Sequence, residues 1–397
     1  MVRLRARHYA TGHLTDIRVE HGSITAIGPA TTQAPDLEAD WLAPAFFDLQ
    51  INGGGGVGFT SETITVEGIR AVAHLCHRHG VSAFLATVIT SSFTTLMHSL
   101  RTLRQAVNQD PELAAAIPGF HLEGPYISPE DGPRGAHPRA HVRPPDWDEF
   151  QRLQEASGGH LRLVTLAPEH EHALPFIERL VKEGIVVALG HTMAPPQRIR
   201  EAVAAGARLS THLGNGCQRL IPRHENVLWE QLAADDMYAS LITDGHHLPW
   251  TLVKCLIRGK TLARIILTCD VSSLGGLPPG RYQEWEQEFD ILPEGKIVLR
   301  SQGVLAGSWA FTDQCLCRLV RHGGISLADA IPMVTTHPRK LLNLSNPELA
   351  PGQPANLVLL RESADGFALQ STLLQGQLWE PIAQAKLESA QGTAFCP

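Results

Sequence analysis

Short apolar segments alternate along the chain with amphipathic segments of helical period from about residue 40 onward. Eight apolar segments can be counted, and each is expected to form one strand: 45–51, 81–90, 117–122, 161–167, 185–190, 208–212, 238–243 and 263–268. Between them, residues 66–79 and 195–205 show helical spacing and end at Gly80 and Gly206, which suit helix C-caps. Strands alternating with helices are typical of a parallel sheet in an α/β protein, and eight units predict a closed (β/α)8 barrel like that of TIM.

The two ends of the chain follow a different pattern. Residues 7–42 contain short strand-like segments separated by turn sequences, and residues 355–360 and 373–379 resemble them. We therefore predict a small composite β domain, a β-sandwich, from residues 1–43 and 346–397, and a catalytic barrel from residues 44–345. The segment 274–280, rich in proline and glycine, follows the eighth predicted strand and is expected to be an active-site loop.

The composition is that of an ordinary globular protein. The 397 residues are 43% hydrophobic and 18% charged, which is enough apolar material for a sizeable core. A formal net charge of −7 disfavours nucleic acid or an anionic membrane as the main partner. The sequence shows neither the apolar core of a signal peptide nor an apolar run of membrane-spanning length, so a cytoplasmic location is expected. The seven cysteines have no paired spacing and are predicted to be reduced.

Ionisable side chains recur at the C-terminal ends of the predicted strands, where the active sites of such barrels lie. Glu123, His191 and His212 end the third, fifth and sixth strands. One carboxylate and two imidazoles commonly bind a single divalent ion and leave a position open for water. Asp270, at the end of the eighth strand, is placed to take a proton from that water and to return it to a leaving group. We expect one divalent ion per subunit, zinc first, although iron, manganese and cobalt accept the same ligands.

The ordered motifs resemble those of the N-acetylglucosamine-6-phosphate deacetylase family, a branch of the amidohydrolases. The resemblance covers nearly the whole chain. It implies metal-dependent hydrolysis of the acetamide of N-acetylglucosamine 6-phosphate to glucosamine 6-phosphate and acetate, a small amino sugar as substrate, and a homodimer. The motifs that carry it are DLQING at 48–53, HLEGP at 121–125, TLAPE at 165–169, GHT at 190–192, THLGN at 211–215, the strand end at Asp270, and ANLV at 355–358.

The same resemblance implies roles for residues outside the metal set. His247 would orient or polarise the acetamide carbonyl beside the catalytic Asp270, and Ala136 and His137 would contact the sugar or its phosphate. Two further segments align with loops that contact the substrate in the family, and these are Asn215-Gly216 and Leu305-Ala306-Gly307.

Gln50 and Asn52 occupy the end of the first strand, where many amidohydrolases carry a His-x-His pair that binds a second metal ion. Neutral amides are poor ligands for transition metals. We therefore expect a single ion in this chain. The two amides either tie down the strand end or take part in catalysis, and the sequence is compatible with both roles.

Arg223 matches the family arginine that contacts the substrate phosphate, in its own site or in that of the neighbouring subunit, and a guanidinium suits that anion. The family continues Arg-Glu-Pro-Gly, whereas this chain reads Arg223-His224-Glu225-Asn226, and Gly216 replaces the usual alanine. These departures bear on the phosphate preference and not on hydrolysis. Three alternatives stay open: a deacetylase of an unphosphorylated N-acetyl amino sugar, an amidohydrolase of a cyclic amide or an N-acyl amino acid, and a metal-free sugar-binding or regulatory protein that has lost catalysis.

Overall fold

A computed structural model describes residues 1–285, 287–363 and 366–382 of the protein. Its strands are β1 (Val2–His8), β2 (Leu14–Glu20), β3 (Ser23–Pro29), β4 (Leu37–Pro44), β5 (Phe46–Ile51), β6 (Gly53–Gly54), β7 (Val57–Gly58), β8 (Val81–Ile89), β9 (Gly119–Glu123), β10 (Leu161–Leu166), β11 (Val186–Leu189), β12 (Leu209–Ser210), β13 (Tyr238–Ile242), β14 (Ile265–Thr268), β15 (Gly280–Glu284), β16 (Gln287–Ile291), β17 (Ile297–Leu299), β18 (Val304–Leu305), β19 (Leu357–Ser363), β20 (Gly366–Leu374) and β21 (Gln377–Trp379). Its helices are α1 (Val66–Arg78), α2 (Phe93–Gln109), α3 (Pro111–Ala116), α4 (Trp147–Ala156), α5 (Ala173–Lys182), α6 (Pro196–Ala204), α7 (Val227–Ala233), α8 (Trp250–Lys260), α9 (Thr312–Gly323), α10 (Leu327–Ala330) and α11 (Thr336–Leu341).

Eight parallel strands form the central sheet, in the order β5-β8-β9-β10-β11-β12-β13-β14. They coincide with the eight apolar segments of the sequence. The sheet nearly closes on itself, because a parallel bridge joins Ile51 to Val271 and the amide of Asn52 donates to the carbonyl of Val271 at 2.9 Å. The predicted (β/α)8 fold is confirmed.

A buried carboxylate supports this closure. Asp48, on β5, accepts hydrogen bonds from the Thr312 hydroxyl at 2.7 Å, from the Cys269 amide at 3.0 Å and from the Thr268 hydroxyl. These donors lie on the end of β14 and the start of α9. A buried polar group requires such partners, so Asp48 fixes the first strand against the last.

The apolar side chains of the barrel strands pack on two sides. Those facing inward pack with Leu341, the last residue of α11, and with Leu342. Those facing outward pack on helices such as α1, whose buried residues lie on one face and whose first turn is capped by the Thr65 hydroxyl. None of the helices in the described ranges is both long and apolar enough to cross a membrane.

The two ends of the chain share one seven-stranded sheet, in the order β21-β20-β19-β4-β1-β2-β3. Strands β1 and β4 pair in parallel, and β4 pairs antiparallel with β19, which joins the N-terminal part to the C-terminal part. A separate apolar cluster, including Leu4, Ile17 and Leu357, packs within this unit. The boundaries at 43/44 and 345/346 stay a prediction, and residues 383–397 of the predicted small domain lie outside the described residues.

The segment after β14 contains more structure than the expected active-site loop. Residues 274–280 lead into a four-stranded antiparallel sheet, β15-β16-β17-β18. This sheet has its own apolar cluster, which includes Leu274, Phe289 and Leu299. Its last strand ends at Leu305 and returns the chain to the C-terminal ends of the barrel strands.

Candidate active site

A cavity of about 290 Å³ opens where the barrel strands end. Its wall combines strand ends, the loops that follow β9 and β12, and the four-stranded sheet after β14. The residues that line it are Asn52, Ile89, Glu123, Gly132, Gly135, Ala136, His137, His191, His212, Asn215, Gly216, Cys217, Arg219, Ile242, His247, Asp270, Ser272, Trp285, Val304, Leu305, Ala306 and Gly307.

Three of these side chains form a compact donor set. Oε1 of Glu123 lies 3.1 Å from Nε2 of His212 and 3.3 Å from Nε2 of His191, and the two nitrogens are 3.1 Å apart. Zinc binds nitrogen and oxygen at about 2.0–2.1 Å, which separates tetrahedral ligands by roughly 3.4 Å. The donor set therefore fits a small divalent ion, and it is the one such group among the described residues.

The backbone at these strand ends is unusual. His191, His212 and Asp270 have φ values of 50°, 31° and 52°, in the left-handed region that side chains other than glycine rarely adopt. Such conformations cost roughly 1–3 kcal/mol each and cluster at functional sites. Here they turn three side chains from neighbouring parts of the barrel into one cavity.

Contacts behind the donor set fix its orientation and charge. Nδ1 of His191 donates to the Pro133 carbonyl at 2.8 Å, which leaves Nε2 free to bind a metal ion. Burial alone would raise the pKa of Glu123, but the hydrogen bonds and charges of His191 and His212 hold it well below its ordinary value. Glu123 is therefore an ionised carboxylate, as a metal ligand must be.

Asp270 faces the donor set from the opposite strand end. Its Oδ1 accepts from Nε2 of Gln50 at 2.9 Å and from Nδ2 of Asn52 at 2.7 Å. Burial and then the negative charge of Glu123 raise the pKa of Asp270 to about 6. The amides of Gln50, on β5, and of Asn52, directly after it, thus orient the carboxylate and leave its Oδ2 available. Asn52 lines the cavity, whereas Gln50 is buried behind it.

His247 is held by a carboxylate that the sequence did not single out. Its Nδ1 donates to Oδ2 of Asp244 at 2.8 Å, and its backbone amide donates to Oδ1 of the same residue at 2.9 Å. Burial would raise the pKa of Asp244, but the charge and hydrogen bonds of His247 hold it well below its ordinary value. The pair fixes the ring and keeps Nε2 of His247 free on a residue that lines the cavity.

His137 lines the cavity and is buried beside the donor set. Its Nδ1 is 2.8 Å from the Thr90 hydroxyl, and its Nε2 is 3.9 Å from Oε2 of Glu123. Burial, followed by the nearby charge of His191, lowers the pKa of His137 to about 3. The ring is therefore neutral at physiological pH and stands beside the donor set.

The cavity also contains the other segments that the resemblance assigned to substrate. Ala136, Asn215, Gly216 and the turn Leu305-Ala306-Gly307 all line it.

Arg223 does not line this cavity. Its side chain is exposed, and its carbonyl accepts from Nε1 of Trp229 at 3.2 Å. Within a single chain, the arginine expected to bind phosphate lies outside the site. That Arg223 binds the phosphate in the site of a neighbouring subunit stays a prediction.

Three residues of the site were not assigned a role from the sequence: Arg219, Trp285 and Asp244. Arg219 and Trp285 line the cavity, whereas Asp244 acts through His247. Asp244 is the second residue after β13, so its place at a strand end was the available signal. Nothing in the sequence distinguishes Arg219 or Trp285 from other loop residues.

Comparisons with known proteins agree with this geometry. The sequence profile described as "Amidohydrolase family" matches residues 41–379. An N-acetylgalactosamine-6-phosphate deacetylase from Escherichia coli is 33% identical over 94% of this chain and 98% of its own length. The human N-acetylglucosamine-6-phosphate deacetylase is 33% identical over 86% of this chain and 84% of its own.

A solved structure supports the same relationship. The N-acetyl-D-glucosamine-6-phosphate deacetylase of Mycobacterium smegmatis, in complex with N-acetyl-D-glucosamine-6-phosphate, superposes with a TM-score of 0.86 at 28% identity. The match covers 96% of this chain and 99% of that one. The chain therefore belongs to the amidohydrolase family and, within it, to the N-acetylglucosamine-6-phosphate deacetylase family.

Proposed function

We propose that this protein is a metal-dependent deacetylase of N-acetylglucosamine 6-phosphate. Water and the acetamide give acetate and glucosamine 6-phosphate. The observation that carries the proposal is the meeting of Glu123, His191 and His212 with Asp270 in one cavity, in a chain whose relatives bear this activity.

The residues of the site divide the chemistry between them. A divalent ion bound by Glu123, His191 and His212 would lower the pKa of a water molecule and so supply the nucleophile. Asp270 would accept the proton of that water on Oδ2, because Oδ1 is engaged by Gln50 and Asn52. The same carboxyl would then protonate the departing nitrogen.

His247 would stabilise the charge that develops on the acetamide oxygen. Asp244 accepts the hydrogen bond from Nδ1 of the ring, so Nε2 is free to face the carbonyl. With a proton on Nε2, His247 can donate a hydrogen bond to the acetamide oxygen. Ala136, Asn215 and the turn at Leu305–Gly307 would contact the sugar.

Metal identity, assembly and location are part of the proposal. We expect zinc, with iron, manganese or cobalt as alternatives, a homodimer, and a cytoplasmic enzyme without a nucleic-acid partner. Leu220 and Trp229 are 91% and 48% exposed on the segment that carries Arg223, and such apolar surface favours burial in a second subunit.

The deciding experiment measures acetate release from N-acetylglucosamine with and without the 6-phosphate. Preferential hydrolysis of the phosphorylated sugar is expected, and preference for the neutral sugar would reject the phosphate assignment. N-acetylgalactosamine 6-phosphate forms a third arm, because a relative named for that substrate matches 94% of this chain. If acetate is released from none of the three sugars, the proposed function is rejected.

A further inference from the structure

We infer that Arg219 binds the anionic group of the substrate from within the same chain. This role rests on the proposed function and adds a specificity-determining residue to it. Three features of the structure support it: the charges of the cavity, the freedom of the guanidinium and the packing of the loop that carries it.

The charge of the cavity requires a cation if the substrate is an anion. Glu123 and Asp270 are its two carboxylic acids, and Arg219 is its one lysine or arginine among the described residues. A divalent ion would offset both carboxylates and leave the cavity near neutrality. Arg219 then gives the cavity the positive charge that a phosphate dianion needs.

The Arg219 guanidinium is available for a ligand. The side chain is exposed, and no ion pair or hydrogen bond within the described part of the chain occupies it. Arg134, which lies beside the cavity loop, is in contrast buried and donates to the carboxylate of Asp131 and to the His137 carbonyl. Arg134 therefore holds the loop together, and Arg219 is left to contact substrate.

Close packing fixes the base of the Arg219 loop. A Cβ at Gly132 would lie 3.3 Å from the Cys217 carbonyl oxygen and 3.8 Å from the Arg219 nitrogen. A Cβ at Gly216 would lie 3.0 Å from Nδ1 of His191. The backbone that leads to Arg219 thus packs between the loop after β9 and the donor set. A guanidinium presented from this position can bind phosphate through two parallel hydrogen bonds.

Arg219 and Arg223 make separable contributions. Arg219 lines the cavity of its own chain, whereas Arg223 is exposed outside it. Asn226, which stands in the place of the family's glycine, caps α7 by accepting from the Leu228 and Trp229 amides at 3.0 Å each. This cap anchors the segment after Arg223. Because only Arg219 of the two lines the cavity, Arg219 is the arginine placed to meet the phosphate of its own subunit.

The test compares kcat/KM on the phosphorylated and neutral sugars for Arg219→Ala, Arg219→Lys and Arg223→Ala. Arg219→Ala should lose about ten- to a hundredfold on the phosphorylated sugar and little on the neutral one, because a charge-assisted contact disappears. The loss for Arg219→Lys should be intermediate, since lysine keeps the positive charge but cannot form two parallel hydrogen bonds to the phosphate. Arg258→Ala is the matched control, because Arg258 is an exposed arginine away from the cavity, on α8.

A binding measurement separates this inference from the proposed function. Calorimetry with the product, glucosamine 6-phosphate, should show about ten- to a hundredfold weaker binding to Arg219→Ala than to the parent, and glucosamine should show no such difference. Equal losses on both sugars, or unchanged product binding, would overturn the role of Arg219 even in an active deacetylase. A parent protein without activity would reject the proposed function, and the product titration would still decide the role of Arg219.

Discussion

The neighbours of Asp270 suit its carboxyl to the proton transfer that we propose for it. Gln50 and Asn52 occupy one oxygen, while burial and Glu123 raise the pKa of the carboxyl to about 6. A general base is most effective when its pKa lies near the working pH. The two amides, at the positions of the His-x-His pair of many amidohydrolases, therefore support the carboxyl that we propose as the proton carrier.

The first prediction concerns pH. Asp270 must be ionised to accept a proton, so kcat/KM should fall about tenfold per pH unit below its pKa and level off above it. A bound cation lowers that pKa, so the acidic limb of the pH profile should lie at or below about pH 6.

The variant Asp270→Asn should keep the metal, lose about a hundred- to ten-thousandfold in kcat and lack the acidic limb of the pH profile. Near-normal turnover in the metal-loaded variant would remove Asp270 from the mechanism.

The second prediction concerns metal content. Elemental analysis should give about one divalent ion per chain, since the donor set offers one site and the amides of Gln50 and Asn52 are engaged by Asp270. Glu123→Gln should lower occupancy strongly, because it removes the anionic ligand. Glu178→Gln, at an exposed position of α5, is the control. Anomalous diffraction showing two full ions within bridging distance would contradict the single site.

The donor set and Asp270 could be predicted from residue type and position, because each of these residues stands at the end of a recognisable strand or within two residues of it. Arg219 was missed because the loop after β12, which carries it, has no period from which its path could be deduced. Asp244 stands at a strand end as the donor set does, but its role depends on its hydrogen bond to His247, which the sequence does not show.

At the scale of elements, the eight barrel strands were predictable because strands buried on both faces are nearly continuous apolar runs. The four-stranded sheet after β14 was not. Its first strand, Gly280–Glu284, includes Arg281, Gln283 and Glu284 and is largely exposed, so it shows no such run. A sheet built from short polar strands resembles a loop until its tertiary partners are known.

The third prediction tests how the end of β9 positions Glu123. Gly124 has a φ of 75°, and a Cβ there would lie 2.2 Å from the Thr90 hydroxyl, which contacts His137. Gly124→Ala should therefore weaken metal binding and lower the melting temperature. Gly159→Ala is the matched control, because Gly159 has a φ of 81° with nothing within 4 Å of the added Cβ.

The control variant separates two causes. Gly159→Ala should show only the cost of the left-handed backbone, about 1 kcal/mol, with unchanged metal affinity. If Gly124→Ala behaves in the same way, the close approach to Thr90 does not position Glu123.

At the scale of the whole molecule, the proposed homodimer has a consequence for Arg223. Arg223 lies outside its own cavity, and exposed Leu220 and Trp229 lie near it in the sequence. A two-fold dimer that buries this surface would bring Arg223 toward the partner's site. Light scattering should then give the mass of two chains, and Leu220→Asp should shift it toward one.

The last prediction decides which site Arg223 serves. Two differently tagged chains, one with Asp270→Asn and one with Arg223→Ala, can be co-expressed and purified as heterodimers. If Arg223 acts in the neighbouring site, the chain with Arg223→Ala keeps its own Asp270 and receives Arg223 from its partner, so one site is intact. The heterodimer should then show about half the parental activity on the phosphorylated sugar, well above both homodimeric variants, since a two-fold dimer has two equivalent sites. If Arg223 acts in its own chain, neither site is intact, and the heterodimer should not exceed half the weak activity of the Arg223→Ala dimer. The neutral sugar calibrates both cases, because the heterodimer should hydrolyse it at about half the parental rate wherever Arg223 acts.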